Sequence, residues 1–139
     1  MTPGSILYDQ QFVFRDKTIG NKLLIVLNDS SSSVYVIVKT TSKQKHKNKK
    51  SWCQANDKPP NFFLPKGSCW FDIDTWIELN EFFEIDLNSI LNKKLKGILR
   101  HCDSLPKDIL KDLLICAINC DDITEAQIQI LQNILDNLS

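Results

Sequence analysis

A lysine-rich run directly follows an apolar segment in the first half of the chain. Residues 39–50 read KTTSKQKHKNKK, immediately after VYVIV. Lysine charge neutralises a phosphate backbone, and the indole of Trp52, just beyond the run, can stack on a base. This combination suits single-stranded RNA, whose unpaired bases are open to stacking. A solvated loop is the alternative interpretation, because lysine runs are common on protein surfaces.

Three hydroxyl side chains stand at the end of the same apolar run. Thr40, Thr41 and Ser42 come where a buried strand is expected to end, and strand ends present side chains to ligands. Their hydroxyls can bind phosphate oxygens or take part in proton transfer. Strand propensity followed by a turn explains the same residues without any function.

Histidine and cysteine residues do not have the paired C-x₂-C spacing that is typical of structural zinc sites. The residues considered are His46, Cys53, Cys69, His101 and Cys102. Cys116 and Cys120 are one helical turn apart and are more simply explained as small buried residues. No glycine-rich phosphate loop is present. We therefore expect neither a metal nor a cofactor.

Cysteine number and hydropathy indicate the compartment. The five cysteines occur in a chain whose first residues lack the basic and apolar regions of a secretory signal. An odd number of cysteines in such a chain predicts free thiols in a reducing compartment. No apolar run approaches the roughly 20 residues that cross a bilayer. The sequence thus predicts a cytoplasmic protein with no membrane partner.

Charge is distributed unevenly although the net charge is zero. Residues 1–71 contain eleven Lys and Arg against four Asp and Glu, whereas residues 72–139 contain six against thirteen. Such an asymmetry indicates a nucleic-acid partner or a partner that reads one charged face. A fold that mixes the two halves on its surface is an equally good explanation.

The elements that would position these residues are mainly strands followed by helices. Short apolar or β-branched segments separated by turns favour a small barrel or sandwich. The expected strands are 5–8, 11–14, 23–27, 34–38, 61–64, 68–71 and 75–79. A long basic loop is expected at about 41–60.

The last third of the chain has helical periodicity. A short helix is expected from about Asn88, and a second helix is expected with Ser104 as its cap and Pro106 in its first turn. The pattern from Thr124 to Gln127 has the form of a capping box for a last helix. We predict one α+β, mainly β domain over 1–139, with the barrel at about 3–80 and the helical part at about 87–139.

Taken in order, these segments resemble the MazF/PemK family of toxin endoribonucleases from toxin–antitoxin systems. The similarity covers roughly residues 3–119 and depends on the ordered set rather than on one motif. Its parts are Pro3-Gly4-Ser5-Ile6, Gly20-Asn21-Lys22 before LLIVL, VYVIVKTTSK, the segment 70–79, and LKGILRHCDSLPKDILKDLLICAI.

The resemblance implies an SH3-like barrel with a C-terminal helix, usually a homodimer, that cuts single-stranded RNA without a metal and is neutralised by a small antitoxin. By position, the family's catalytic arginine falls on Lys22 and its catalytic hydroxyl on Thr40 or Thr41. Arg15 can supply an arginine from the preceding loop. The residues expected to hold RNA are Lys39, Lys43, Lys45, Lys47, Lys49, Lys50 and Trp52.

The sequence departs from the family at the catalytic arginine. Lys22-Leu23 stands where arginine and proline are expected, and lysine is a point charge that lacks the planar fork of a guanidinium. The basic loop is also longer, and residues 121–139 add a helix. The alternative is therefore a non-catalytic SH3-like barrel that acts as an RNA-binding or protein-interaction module. A third possibility is a metal-dependent enzyme around Asp72 and Asp74.

Overall fold

The computed structural model describes residues 1–45, 47–50 and 52–138. An antiparallel sheet dominates this part of the chain and is accompanied by helices, which confirms the predicted α+β, mainly β class. The strands are β1 (Ser5–Val13), β2 (Ile19–Val26), β3 (Val34–Thr41), β4 (Trp52–Gln54), β5 (Asn61–Leu64), β6 (Thr75–Glu78), β7 (Phe83–Asp86) and β8 (Leu99–Ser104). The helices are α1 (Leu87–Leu95), α2 (Lys107–Ile118) and α3 (Glu125–Asp136).

The strand β3 lies at the centre of the sheet. The strand order is β4-β5-β6-β3-β2-β1-β8, and β7 also pairs with β3. One edge of β3 pairs with β2, whereas the other edge pairs first with β7 and then, at Thr40 and Thr41, with β6. Among the described strands the path ends at β4 and at β8, so the sheet is open and the expected closed barrel is not formed.

Apolar side chains cover both faces of β2 and β3. On one face Ile25 and Val38 pack in a cluster that includes Leu114 of α2 and Leu131 of α3. On the other face Leu24, Ile37 and their neighbours pack with Ile90 of α1. Burial on both faces explains why LLIVL reads as a continuous apolar run rather than as an alternating one.

Local hydrogen bonds set the helix boundaries. The predicted capping box of α3 is confirmed, because Thr124 and Gln127 exchange side-chain to backbone hydrogen bonds. Helix α1 begins after Asp86, whose carboxylate accepts from the Ser89 N–H at 2.8 Å. The prediction that Ser104 caps α2 is wrong, since Ser104 ends β8 and α2 starts after Pro106 without a side-chain cap. No helix in the described part of the chain is long and apolar enough to cross a membrane.

Strand boundaries differ from the prediction where pairing is non-local. The two expected segments 5–8 and 11–14 are largely one strand, β1, with a register shift between Asp9 and Phe12. Segment 68–71 consists of bends and irregular backbone rather than a strand. Strands β7 and β8 were not predicted, and β8 lies in the region expected to be helical. Their partners are β3 and β1, so pairing distant along the chain makes these short segments extended.

A disulfide joins Cys53 of β4 to Cys116 of α2, with a Cα–Cα distance of 5.5 Å. The prediction of five free thiols is therefore wrong. Because 63 positions separate the two cysteines, only the packing of α2 against β4 reveals that they meet. Cys69, Cys102 and Cys120 are free. Within the expected loop 41–60 the disulfide anchors the short strand β4.

The disulfide is expected to contribute to stability. It closes a long loop, and loss of such a crosslink costs about 2–4 kcal/mol. We therefore expect Cys53→Ser to lower the urea midpoint and to make unfolding insensitive to dithiothreitol. A Cys69→Ser variant, which leaves the crosslink intact, should still lose stability on reduction. Identical urea curves for the oxidised and reduced wild type would contradict this expectation.

Candidate functional site

An open cleft of about 530 Å³ lies where β1, β2 and β3 meet the loop between β5 and β6. Its volume is in the range of sites that hold small molecules. One wall carries the cationic residues Lys22 and Lys43. The facing loop contributes Trp70 and Asp72. The cleft therefore combines positive charge, an aromatic ring and a carboxylate.

The pairing of β2 with β3 brings Lys22 and the two threonines together. Leu24 pairs with Lys39 in the antiparallel register, so Lys22 and Thr41 lie toward the same end of the two strands. The structure places Lys22, Thr40 and Thr41 in the lining of one cleft. These are the positions to which the resemblance assigns a cation and a hydroxyl.

Lys22 is a half-buried cation without a close counter-ion. Among the described residues, no carboxylate lies within ion-pair distance of its Nζ. Burial lowers the pKa of Lys22 below its usual value, while the negative charge of Glu78 opposes this effect. Repulsion from Lys39, Lys43 and Lys47 lowers the pKa further. Such a group is better explained by ligand binding or proton transfer than by stabilisation of the fold.

The two threonines have different environments. Thr40 is buried, and its hydroxyl donates to the Leu23 carbonyl at 2.9 Å, which ties β3 to β2. The Thr41 oxygen accepts from the Lys43 N–H at 3.1 Å. Within the described residues the Thr41 hydroxyl donates to no acceptor, so its hydrogen is available to a ligand. Thr41 rather than Thr40 therefore has a hydroxyl that can donate to a ligand.

Arg15 and Lys39 are not among the residues that line this cleft. The Arg15 Nε pairs with a Glu81 carboxylate oxygen at 2.8 Å. The Lys39 Nζ lies 2.9 Å from Glu81 and 3.1 Å from Glu78. Arg15, Lys39 and Glu81 line a separate surface depression. The structure thus does not bring Arg15 to Lys22, and the charge of Lys39 is already neutralised by two carboxylates.

Ion pairing also reverses the electrostatic effect of burial at Lys39. Burial by itself lowers the pKa of this group, but hydrogen bonds and attraction from Glu81 and Glu78 outweigh it. The pKa of Lys39 is consequently raised above its usual value. Expected as an RNA-binding residue, Lys39 is held in a nearly buried ion-pair network, with a side chain only 14% exposed.

The remaining lysines of the basic loop differ in how exposed they are and in whether their ammonium groups have partners. Lys43, Lys45 and Lys50 are exposed, and Lys43 also lines the cleft. Lys47 is half-buried and donates to the Lys45 carbonyl at 3.3 Å. Lys49 pairs with Asp74 at 3.1 Å. His46, which was considered as a zinc ligand, lies outside the described residues.

Trp52, the indole expected to stack on a base, is not exposed at the cleft. Trp52 is half-buried against the main core, and its ring centroid lies 6.0 Å from that of Phe62. Trp76 is buried and donates to the Asn48 carbonyl at 2.7 Å. The exposed indole at the cleft is Trp70, which sequence reasoning placed in a strand. Its position three residues after Gly67 of the Pro65-Lys66-Gly67 turn was the available signal.

Asp72 and Asp74, which were considered for a metal site, have different environments. Asp72 is exposed in the cleft lining. Asp74 accepts from the Lys66 N–H at 2.8 Å, and this hydrogen bond together with Lys49 lowers the pKa of Asp74. In the described ranges, no group of three or more His, Cys, Asp or Glu side chains is arranged to hold a metal ion. Asp74 thus has a local anchoring role, whereas Asp72 faces the cleft.

Comparison of the chain with protein-family models and with curated proteins finds no match. The side chains in the cleft lining that could bind a ligand or transfer a proton are Tyr8, Lys22, Thr41, Lys43, Trp70 and Asp72. Tyr8 and Trp70 are the members that the sequence prediction missed.

Lys22 should reduce the stability of the folded state. Its lowered pKa means that the protonated form is disfavoured by folding, so the cost is complete at neutral pH and disappears as pH rises toward the pKa of the unfolded chain. We expect Lys22→Met to raise Tm at neutral pH and to flatten the alkaline rise in stability. Differential scanning calorimetry across pH measures both effects.

Lys111→Met, at an exposed position on α2, is the matched control and should leave Tm nearly unchanged. A Lys22→Met protein that melts below the wild type at neutral pH would contradict the assigned electrostatics.

Proposed function

We propose that this protein is a MazF/PemK-like toxin, a metal-independent endoribonuclease that cuts single-stranded RNA in a toxin–antitoxin or defence setting. The observation that carries the proposal is the convergence of Lys22, Thr41 and Lys43 in one cleft. The first two match the positions that the resemblance assigns to the family's cation and hydroxyl. Pairing of β3 with β2 on one edge and with β6 and β7 on the other is compatible with an SH3-like arrangement.

The proposed reaction uses the 2′-oxygen of the RNA as the nucleophile. A bond forms between the 2′-oxygen and phosphorus while the bond from phosphorus to the 5′-oxygen breaks. The products are a 2′,3′-cyclic phosphate and a 5′-hydroxyl. This step needs an acceptor for the 2′-hydroxyl proton, a donor for the leaving oxygen and positive charge at the phosphorane.

The residues of the cleft can supply these functions. Protonated Lys22 neutralises the phosphorane and donates a proton to the leaving 5′-oxygen; its lowered pKa makes it a stronger acid than an ordinary lysine. The Thr41 hydroxyl and the Lys43 ammonium bind the non-bridging oxygens. Asp72 is the carboxylate among the described cleft residues and accepts the 2′-hydroxyl proton.

Replacement of arginine by lysine changes how the phosphate is held. A guanidinium would bind two phosphate oxygens with one planar fork, whereas Lys22 is a single point charge. Lys43 supplies a second positive charge in the cleft lining. Two point charges neutralise the phosphorane but orient it less strictly, so the proposed enzyme is slower than one with an arginine.

The exposed lysines extend the positive surface beyond the cleft. Lys43, Lys45 and Lys50 project from the basic loop, and each phosphate contact makes binding more dependent on salt. Lys39 is left out of this surface because Glu78 and Glu81 neutralise it. RNA would therefore cross the exposed lysine side chains before it enters the cleft.

A small acidic antitoxin would cover the basic surface, and the active form would be a homodimer, as the resemblance implies. The RNA substrate places the activity in the cytoplasm. There the Cys53–Cys116 bond would be exposed to reductants through Cys53, which lies on the protein surface.

A non-catalytic RNA-binding module is the second candidate. It is favoured by Lys22 in the place of arginine and by the hydrogen bond that occupies the Thr40 hydroxyl. The exposed lysines would serve such a module equally well. Salt-dependent RNA binding without cleavage distinguishes it from the enzyme.

Cleavage of a mixed-sequence RNA in EDTA tests the proposal. We expect the wild type to cut, and Lys22→Met to lose on the order of 100-fold or more in rate because charge stabilisation is removed. Asp72→Asn should lower kcat by about 100-fold with little change in KM, since it removes the proton acceptor. Lys111→Met, an exposed change outside the cleft, should keep the wild-type rate.

Two results would contradict the enzyme proposal. One is a wild type that cuts no RNA at any concentration and is not toxic on expression. The other is an unchanged cleavage rate for Lys22→Met.

A further inference from the structure

Trp70 exposes a large apolar surface at the rim of the cleft. It is 42% exposed, whereas the neighbouring Phe71 is 4% exposed and belongs to the main core. The two rings meet edge to face with centroids 5.2 Å apart. Phe71 therefore anchors the segment while the indole stays open to solvent. Tryptophan is frequent at binding surfaces, and this ring lies at the rim of a cleft, so its open face offers a contact surface to a ligand.

Hydrogen bonds hold the loop that carries Trp70 in one shape. Ser68 donates to the Pro65 carbonyl through its N–H at 3.0 Å and through its hydroxyl at 2.7 Å. Lys66 donates through its N–H to Asp74 at 2.8 Å. An aromatic ring on a loop that is already ordered loses little conformational entropy when a ligand binds. The indole is thus preorganised as a flat contact surface.

The Trp70 loop is also joined to the basic loop. The Lys49 ammonium lies 3.1 Å from the Asp74 carboxylate. Asp74 therefore ties together the loop of the aromatic wall and the loop of the cationic wall, which contains Lys43. Ile73, which is 52% exposed and also lines the cleft, enlarges the apolar surface beside Trp70.

We propose that Trp70 is a base-stacking platform that binds one unpaired nucleobase while the adjacent phosphate lies on Lys22 and Lys43. This inference rests on the proposed action on single-stranded RNA. A nucleotide has an aromatic end and an anionic end, and the cleft has an aromatic wall and a cationic wall. The volume of about 530 Å³ is sufficient for one nucleotide.

Stacking on Trp70 has a consequence for specificity. Every base has a flat π face, so stacking tolerates any sequence, but a larger ring system gives a larger contact. Trp70 should therefore favour a purine over a pyrimidine at the stacked position by a modest factor. The site that is cut would be selected partly by this nucleotide.

Binding of a short fluorescent 2′-O-methyl oligoribonucleotide tests the inference, because this probe cannot be cleaved by attack of its 2′-oxygen. We expect Trp70→Ala to weaken binding about 5- to 100-fold, as for removal of one stacked base, and Trp70→Phe to retain most of the affinity. Ile115→Ala, a 43% exposed position on α2, is the control and should bind like the wild type. Inorganic pyrophosphate, which has no base, should bind all four proteins equally.

The outcomes separate this inference from the proposed enzyme. Equal oligonucleotide affinity for Trp70→Ala and the wild type overturns the stacking platform and leaves the enzyme proposal standing. Weaker binding of both the oligonucleotide and pyrophosphate overturns it too, because the whole cleft is then disturbed. If Trp70→Ala weakens only the oligonucleotide and the wild type cuts no RNA, the platform stands and the enzyme falls. A wild type that binds no oligonucleotide even at low salt overturns both.

Discussion

The pairing of β3 on both of its edges is the constraint on which the site depends. Side chains alternate between the faces of a strand, so Thr40 points away from Lys39 and Thr41. Lys39 and Thr41 share a face but have different neighbours, because β3 pairs with β7 up to Ile37 and with β6 at Thr40 and Thr41. Lys39 enters an ion-pair network with Glu78 and Glu81, and Thr40 donates to the Leu23 carbonyl of β2. Thr41, at the end of the strand, remains open to the cleft. A change of register by one residue would exchange the buried and the exposed positions and remove the site.

Two lysines illustrate how the fold divides structural from functional charge. Lys39 and Lys22 are both partly buried, and burial alone lowers the pKa of each. Carboxylate partners reverse this effect at Lys39. Lys22 forms no ion pair among the described residues, and the attraction of Glu78 is opposed by repulsion from Lys39, Lys43 and Lys47. The fold therefore stabilises the first charge and leaves the second for an anion. This difference, rather than the number of lysines, distinguishes the cleft from the rest of the basic surface.

The sequence predicted what depends on local patterns. The buried runs of β2 and β3 and the capping box at Thr124 follow from periodicity and local hydrogen bonding. The proximity of Lys22 to the threonines was implied only by the resemblance. Features that depend on distant contacts were missed, including the Cys53–Cys116 disulfide and strand β8. The sequence predicted Trp52 as the exposed indole, but in the structure the exposed indole at the cleft is Trp70. Packing of Trp52 against Phe62, a residue on another strand, covers the Trp52 ring.

The central claim is that the cleft promotes attack by the RNA's own 2′-oxygen on the adjacent phosphorus. Mass spectrometry of the fragment ends, after incubation of single-stranded RNA with the wild-type protein in a chelator, measures this most directly. We expect a 2′,3′-cyclic phosphate at one new end and a 5′-hydroxyl at the other. Fragments that carry a 3′-hydroxyl and a 5′-phosphate would contradict it, because those ends require attack by water.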